Sequence, residues 1–215
     1  MIKAIIFDLD GVIIDSAEIK TRAFELLFAD YPDKVMEIID YHKRNAGISR
    51  YIKFRYFYEK ILGKSLSSAE EVELGEKFSQ IVVEQILEAP FVPGAIEFLS
   101  RNKGRYDFFV ASGTPEDELR YIMARRQLSH FFREVHGTPK SKEDIIKDIL
   151  QRYAFSGEEV AFVGDADSDC TAADKAGVFF IARITSDNHH LRHCRWKARD
   201  LTNLDILLQD MSEKK

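Results

Sequence analysis

Two carboxylates stand one residue apart in Asp8-Leu9-Asp10-Gly11-Val12, just after the apolar run Ala4-Ile5-Ile6-Phe7. On an extended chain, alternation puts Asp8 and Asp10 on the same side, and Gly11 permits a sharp exit. Carboxylates that close repel each other. A divalent cation is the usual compensation, since Mg²⁺ favours carboxylate oxygens together with a substrate phosphate. By itself, Asp-x-Asp is a weak signal.

Three other segments have similar chemistry. Ala111-Ser112-Gly113-Thr114-Pro115-Glu116 reads as the close of a buried strand and the start of a helix, with Thr114 as N-cap and Pro115 in the first helical position. The Ser112 hydroxyl and Gly113 N–H then make a donor cluster suited to phosphate, although the same residues also make an ordinary turn. In Gly137-Thr138-Pro139-Lys140-Ser141-Lys142-Glu143-Asp144, Ser141 and Asp144 form a capping pair that sets Lys142 in the first helical turn. A cation there opposes the helix dipole, and a bound anion would offset it. Gly164-Asp165-Ala166-Asp167-Ser168-Asp169 packs three acids into five residues. One or two acids are ordinary at a helix N-terminus; three call for a cation.

The elements that position these residues follow from periodicity. Continuous apolar runs at 3–9, 107–111, 160–163 and 178–182 suit strands buried on both faces of a parallel sheet. Amphipathic helical patterns at 96–102, 116–127 and 143–152 separate them. The alternation predicts an α/β fold, a Rossmann-like doubly wound parallel sheet whose ligands bind beyond the carboxyl ends of the strands. Residues 16–90 break this rhythm with helical patterns (Ile19/Ala23/Leu26/Leu27, Val35/Ile38/Ile39, Phe78/Ile81/Val82/Ile86) and no convincing strand. They read as a helical cap inserted after the first strand, over the sheet edge. Residues 1–15 and 91–215 remain as a core of about 140 residues, an ordinary domain size.

Composition narrows the class further. The chain has 215 residues, 45% of them hydrophobic and 31% charged, with 11 Gly and 5 Pro, which excludes a disordered or collagen-like chain. A net charge of −5 leaves no global basic field for nucleic acid. Cys170 and Cys194 cannot build a disulfide framework and suit a reducing cytoplasm. The apolar start is broken by Asp8 and Asp10 without a cleavage site, and no run approaches the ~20 apolar residues of a membrane span. Export and membrane insertion are not expected. Within the insertion, residues 41–64 carry seven Lys/Arg and one acid, whereas 65–88 carry six Glu and one Lys. Either these are two solvated faces, or part of the basic half faces the site and draws in an anionic substrate.

Taken together and in this order, the four segments resemble those of the haloacid dehalogenase superfamily over essentially the whole chain. Asp8-Leu9-Asp10-Gly11-Val12 is similar to its first motif, Ser112-Gly113 to its second, Lys140 or Lys142 to its third, and Gly164-Asp165 with Asp169 to its fourth. The place of the insertion resembles the branch of phosphoglycolate phosphatase and β-phosphoglucomutase relatives. The resemblance implies a Mg²⁺-dependent phosphatase for a small phosphorylated metabolite, acting as monomer or homodimer. Asp8 would be the nucleophile, and Asp10 the general acid and base with a pKa raised toward neutrality. Asp8, the Asp10 backbone carbonyl, Asp165 and Asp169 would hold the metal. Ser112, Gly113 and the motif-three lysine would bind the phosphoryl group. Spacing to Asp165 favours Lys142, since no proline follows Lys140 in the pattern that a Lys140 assignment requires. Gly47-Ile48-Ser49-Arg50 resembles the specificity loop, with Arg50, then Arg44, as the cap residue nearest the substrate.

Other members of the superfamily fit less well. Mutase relatives place a His where this chain has Lys20, and Glu-Asp where it has Gly164-Asp165. Phosphonatase chemistry would use a cap lysine such as Lys20 or Lys53 as an imine-forming amine. From a different class, a phosphoacceptor signalling domain shares the acid, hydroxyl and lysine set but is about half this length. Asp167 reads as a surface residue, and His189-His190-Leu191-Arg192-His193-Cys194 as a surface loop rather than a zinc site.

Overall fold

A computed structural model describes residues 1–185 and 189–213, apart from the side chains of His189 and His190. Six strands, β1 (Ala4–Phe7), β2 (Asp107–Pro115), β3 (Glu134–Thr138), β4 (Val160–Gly164), β5 (Phe179–Arg183) and β6 (Trp196–Ala198), form one parallel sheet in the order β3-β2-β1-β4-β5-β6. β3 and β6 were not expected from the sequence. β3 carries Glu134, His136 and Thr138 and so lacks a continuous apolar run, and β6 is a three-residue edge.

The period of two on β1 explains the layers. Ile5 and Phe7 face one side, with Phe98 of α5 (Ala95–Asn102), Leu119 and Ile122 of α6 (Glu116–Arg125), and Leu204 and Leu208 of the terminal helix, Leu204–Glu213. Ala4 and Ile6 face the other, with Ile145, Ile146 and Ile149 of α7 (Lys142–Arg152) and Ala172 and Ala173 of α8 (Asp167–Ala176). Burial on both faces is why the strands read as apolar runs rather than alternating ones. The 189–194 segment is not a plain surface loop. Leu191 and Cys194 are buried in this second cluster, while the His189 and His190 side chains lie outside the described residues.

Between β1 and α5 the chain forms α1 (Ala17–Leu27), α2 (Val35–Arg44), α3 (Arg50–Tyr56) and α4 (Ser68–Glu88). α4 starts on a capping box of Ser67 and Glu70 and buries Gly75, Phe78, Val82 and Ile86 along one face. Phe78 meets Phe24 of α1 and Phe54 of α3, which with Phe28 and Phe57 make an aromatic centre for the helical segment. Its two connections to the sheet run side by side, with an antiparallel bridge between Ile14 and Phe91 and an Asp15 N–H donating to the Pro90 carbonyl at 2.9 Å. Among the described residues no helix is long and apolar enough to cross a membrane.

Candidate active site

All four segments meet at the carboxyl ends of β1, β2, β3 and β4. The chain order reverses between β1 and β4, where an open α/β sheet leaves a crevice. A cavity of about 670 Å³ opens there, with Asp8, Asp10, Ser112, Gly113 and Asp165 on its core side.

Asp8 follows β1 directly, and its N–H donates to the Val163 carbonyl of β4 at 2.9 Å. Its carboxylate is buried; Oδ1 accepts from the Leu9 N–H at 2.7 Å and Oδ2 from Lys142 Nζ at 2.6 Å. Lys142 also donates to Asp169 Oδ1 at 2.6 Å. Ser141 caps α7 as expected, accepting from the Asp144 N–H at 3.1 Å, and so fixes Lys142 in the first turn. Lys140 is exposed and pairs loosely with Asp148, so the structure brings Lys142 to the acids and leaves Lys140 outside. Asp169 reaches back with Oδ2 to the N–H groups of Asp165 and Ala166, both at 3.2 Å, which fixes the turn after β4. Asp167, at the start of α8, is exposed.

Carboxylate oxygens of Asp8, Asp165 and Asp169 all lie within 4.8 Å of one another. Burial pushes the Asp8 carboxyl up to about 6; Lys142 opposes the rise, and Asp169 and Asp10 add to it. Burial also raises Asp165 well above the carboxylate range, with Asp8 and Asp169 contributing. Burial acts to lower Lys142, but Asp169 and Asp8 outweigh it and hold the ammonium above the usual lysine range. One ammonium therefore does not balance this cluster. Hard oxygen donors with excess negative charge fit Mg²⁺.

Asp10 differs from the expectation of a raised pKa. Burial acts upward, but Lys20, Ser16 and Thr114 outweigh it and bring the carboxyl below its ordinary value. Ser16 Oγ donates to Oδ1 at 2.7 Å, while Lys20 Nζ and Thr114 Oγ1 (3.1 Å) donate to Oδ2. Thr114 is thus used by the site and does not cap α6. β2 runs on through Pro115, and the helix begins at Glu116. Sequence reasoning missed this trio's role; Lys20 spaced ten residues from Asp10, one α1 turn into the insertion, was the available signal.

The Gly47 loop reaches the core. Gly47 has φ +80°, and a Cβ there would sit 2.4 Å from Ser168 Oγ and 3.2 Å from Lys142 Nζ. Ser168 Oγ donates to the Ala46 carbonyl at 2.7 Å. Arg50, the cap residue that the sequence suggested, borders the cavity, but its guanidinium is already held by other residues of the protein. It is buried, and Nη1 donates to Ser79 Oγ at 2.8 Å and to Glu118 Oε2 at 3.0 Å, with Nη2 on Glu118 Oε1. Its charge is spent between α3, α4 and α6. Arg44 is exposed and bonds the Asp40 carbonyl. The basic stretch divides: Lys43, Arg50 and Lys53 border the cavity, while Arg44, Arg55, Lys60 and Lys64 face solvent.

A model of the haloacid dehalogenase-like hydrolase family matches residues 2–177. Over 187 residues, covering 81% of each chain, the sequence is 30% identical to a phosphoglycolate phosphatase of Aquifex aeolicus. It is 25% identical over 198 residues to another of Aliivibrio fischeri, covering 87% of this chain and 86% of that one. The fold is similar to that of a β-phosphoglucomutase of Clostridium difficile, with TM-score 0.80 and 22% identity over 99% of this chain and 98% of the other.

Proposed function

The chain belongs to the haloacid dehalogenase-like hydrolase family, and from that premise we propose that it is a phosphatase of a small phosphorylated metabolite, working through a phosphoaspartyl intermediate on Asp8. The observation that carries this reading is the buried Asp8 carboxylate, oriented by the Leu9 N–H and Lys142, in a cavity shared with Ser112 and Gly113. The catalytic core is residues 1–15 and 91–215, and the helical cap is 16–90. Donors for Mg²⁺ are Asp8, Asp165, Asp169 and the backbone carbonyl of Asp10. When bound, the cation supplies positive charge beside the transferring phosphoryl group.

Asp8 attacks phosphorus in line as the bond to the leaving oxygen breaks. Lys142, the Ser112 hydroxyl and the Gly113 N–H meet the charge on the phosphoryl oxygens. Asp10 gives a proton to the leaving oxygen and takes one back from the water that cleaves the aspartyl phosphate, releasing phosphate and restoring Asp8. Lys20, Ser16 and Thr114 favour ionised Asp10, the form that acts on water. Its acid role begins only after it has taken up a proton against those contacts.

Turnover of p-nitrophenyl phosphate and of a panel of phosphorylated metabolites with Mg²⁺ tests the reading. Asp8→Asn is expected to abolish release of inorganic phosphate. Wild-type protein inert on the whole panel, or undiminished turnover by Asp8→Asn, would sink it. Phosphate retained on an isomerised sugar would point to a mutase.

A further inference from the structure

One turn beyond Arg50 on α3, Lys53 is 3% exposed and borders the same cavity. Among the described residues no carboxylate pairs with it. Its one hydrogen-bond partner is His42 Nδ1 of α2, at 2.9 Å. The direction of that bond follows from the next two. Thr21 Oγ1 gives its hydrogen to the Ala17 carbonyl at 3.3 Å, so it accepts from His42 Nε2 at 3.3 Å. His42 Nδ1 is then the bare nitrogen and Lys53 the donor. Among the described residues the remaining N–H bonds of Lys53 Nζ have no partner, while Phe24 covers the amine at 5.5 Å from its ring centroid.

The charges that act most on Lys53 are cations: Lys20 on α1, Lys142 from α7 and Arg50 on its own helix. Burial, then these charges, brings Lys53 well below the usual lysine range. His42 is pushed down to about 2 by burial and by Lys53, Lys20 and Lys43, so it supplies no negative charge either. A buried ammonium is costly unless an anion pairs with it, so burial favours the neutral amine until an anion arrives.

Resting on the phosphatase reading, we propose that Lys53 is the cap's specificity residue and binds a second anionic group of the substrate, a carboxylate or second phosphate a few bonds from the scissile ester. Arg50 does not serve this purpose because Glu118 and Ser79 already satisfy it. His42 and Thr21 hold the amine in place, and the anion draws a proton onto it.

Calorimetric titration of Asp8→Asn protein with phosphoglycolate and with ethyl phosphate, which matches it in length but has a neutral tail, tests this without turnover. Adding Lys53→Met is expected to weaken phosphoglycolate about tenfold or more and ethyl phosphate less than twofold. Ethyl phosphate binding reports that the variant is folded. With Lys53 intact, at pH 8 in buffers of different ionisation enthalpy, phosphoglycolate should take up more protons than ethyl phosphate. Equal losses for both probes, no loss for either, or equal proton uptake would overturn the proposal. So would a borohydride-fixed adduct on Lys53 with a carbonyl-bearing phosphate ester, which would make the amine an imine former. If Lys53 governs binding as expected while wild-type protein hydrolyses no ester, the phosphatase reading fails and the anion site stands.

Discussion

Two lysines are buried around the site, one on its core side and one on its cap side, and they are opposites. Lys142, on the sheet side, lies 2.6 Å from both Asp8 and Asp169 and keeps its proton. Lys53, on the cap side, meets an uncharged imidazole and other cations, and burial depresses it. Degree of burial does not separate them, at 7% and 3% exposed. Partners do. A buried lysine among carboxylates stays charged as part of a fixed electrostatic frame, whereas one without them gives up its proton readily and regains it beside an anion. The core side carries excess negative charge that suits a metal, and the cap side offers an amine with no carboxylate partner among the described residues, which suits an anionic substrate.

The sharpest way to break this comparison is at Lys142. Lys142→Met is expected to lower kcat by about 10²- to 10³-fold at saturating substrate and Mg²⁺, the scale of losing one donor to a transferring group. Lys140→Ala, on the exposed pair with Asp148, should stay within about twofold. Steady-state kinetics on both variants decide it; a Lys142→Met enzyme at full kcat would remove the lysine from the mechanism.

Arg50 sharpens the cap side. Its guanidinium and Glu118 are 4% and 10% exposed as side chains, and they tie α3 to α6 across the boundary between cap and sheet. Removing one partner of a buried pair strands the other, at about 3–5 kcal/mol. Arg50→Met should therefore lower the urea midpoint strongly, with a smaller effect on phosphoglycolate binding than Lys53→Met. The reverse pattern, an intact midpoint with lost binding, would return Arg50 to the substrate.

How much of this could be read from the sequence follows the same division. Asp8, Ser112, Lys142, Asp165 and Asp169 hang on strand ends and a capped helix start, where local chemistry dictates position. The apolar runs of β1, β2, β4 and β5 announced the sheet for the same reason. β3 stayed hidden because Glu134 and His136 answer to Arg152 and Glu116 rather than to a core. Cap residues depend on tertiary pairing that no local pattern encodes. Nothing near Arg50 in sequence announces Glu118, 68 residues away, or that Lys53 would meet His42. Thr114 shows the conflict most directly, since a good N-cap residue was drawn away by Asp10.

The smallest predicted effect separates backbone strain from contact between the two sides. Gly47 and Gly63 both lie in cap loops with positive φ, +80° and +63°, so alanine at either costs about 1–2 kcal/mol in backbone conformation. Around Gly63 a Cβ would meet open space, whereas at Gly47 it would displace Ser168 Oγ, which holds the Ala46 carbonyl to the core. Gly63→Ala should lower the unfolding midpoint modestly and leave kcat/KM unchanged. Gly47→Ala should show a similar midpoint change and lose about tenfold in kcat/KM, because the loop beside Lys142 can no longer seat against Ser168. Ser168→Ala relieves the clash while giving up the hydrogen bond. Adding it to Gly47→Ala should restore part of the loss if crowding dominates and none if the bond does. Equal activity in Gly47→Ala and Gly63→Ala would mean that this loop's contact with the core plays no part in the reaction.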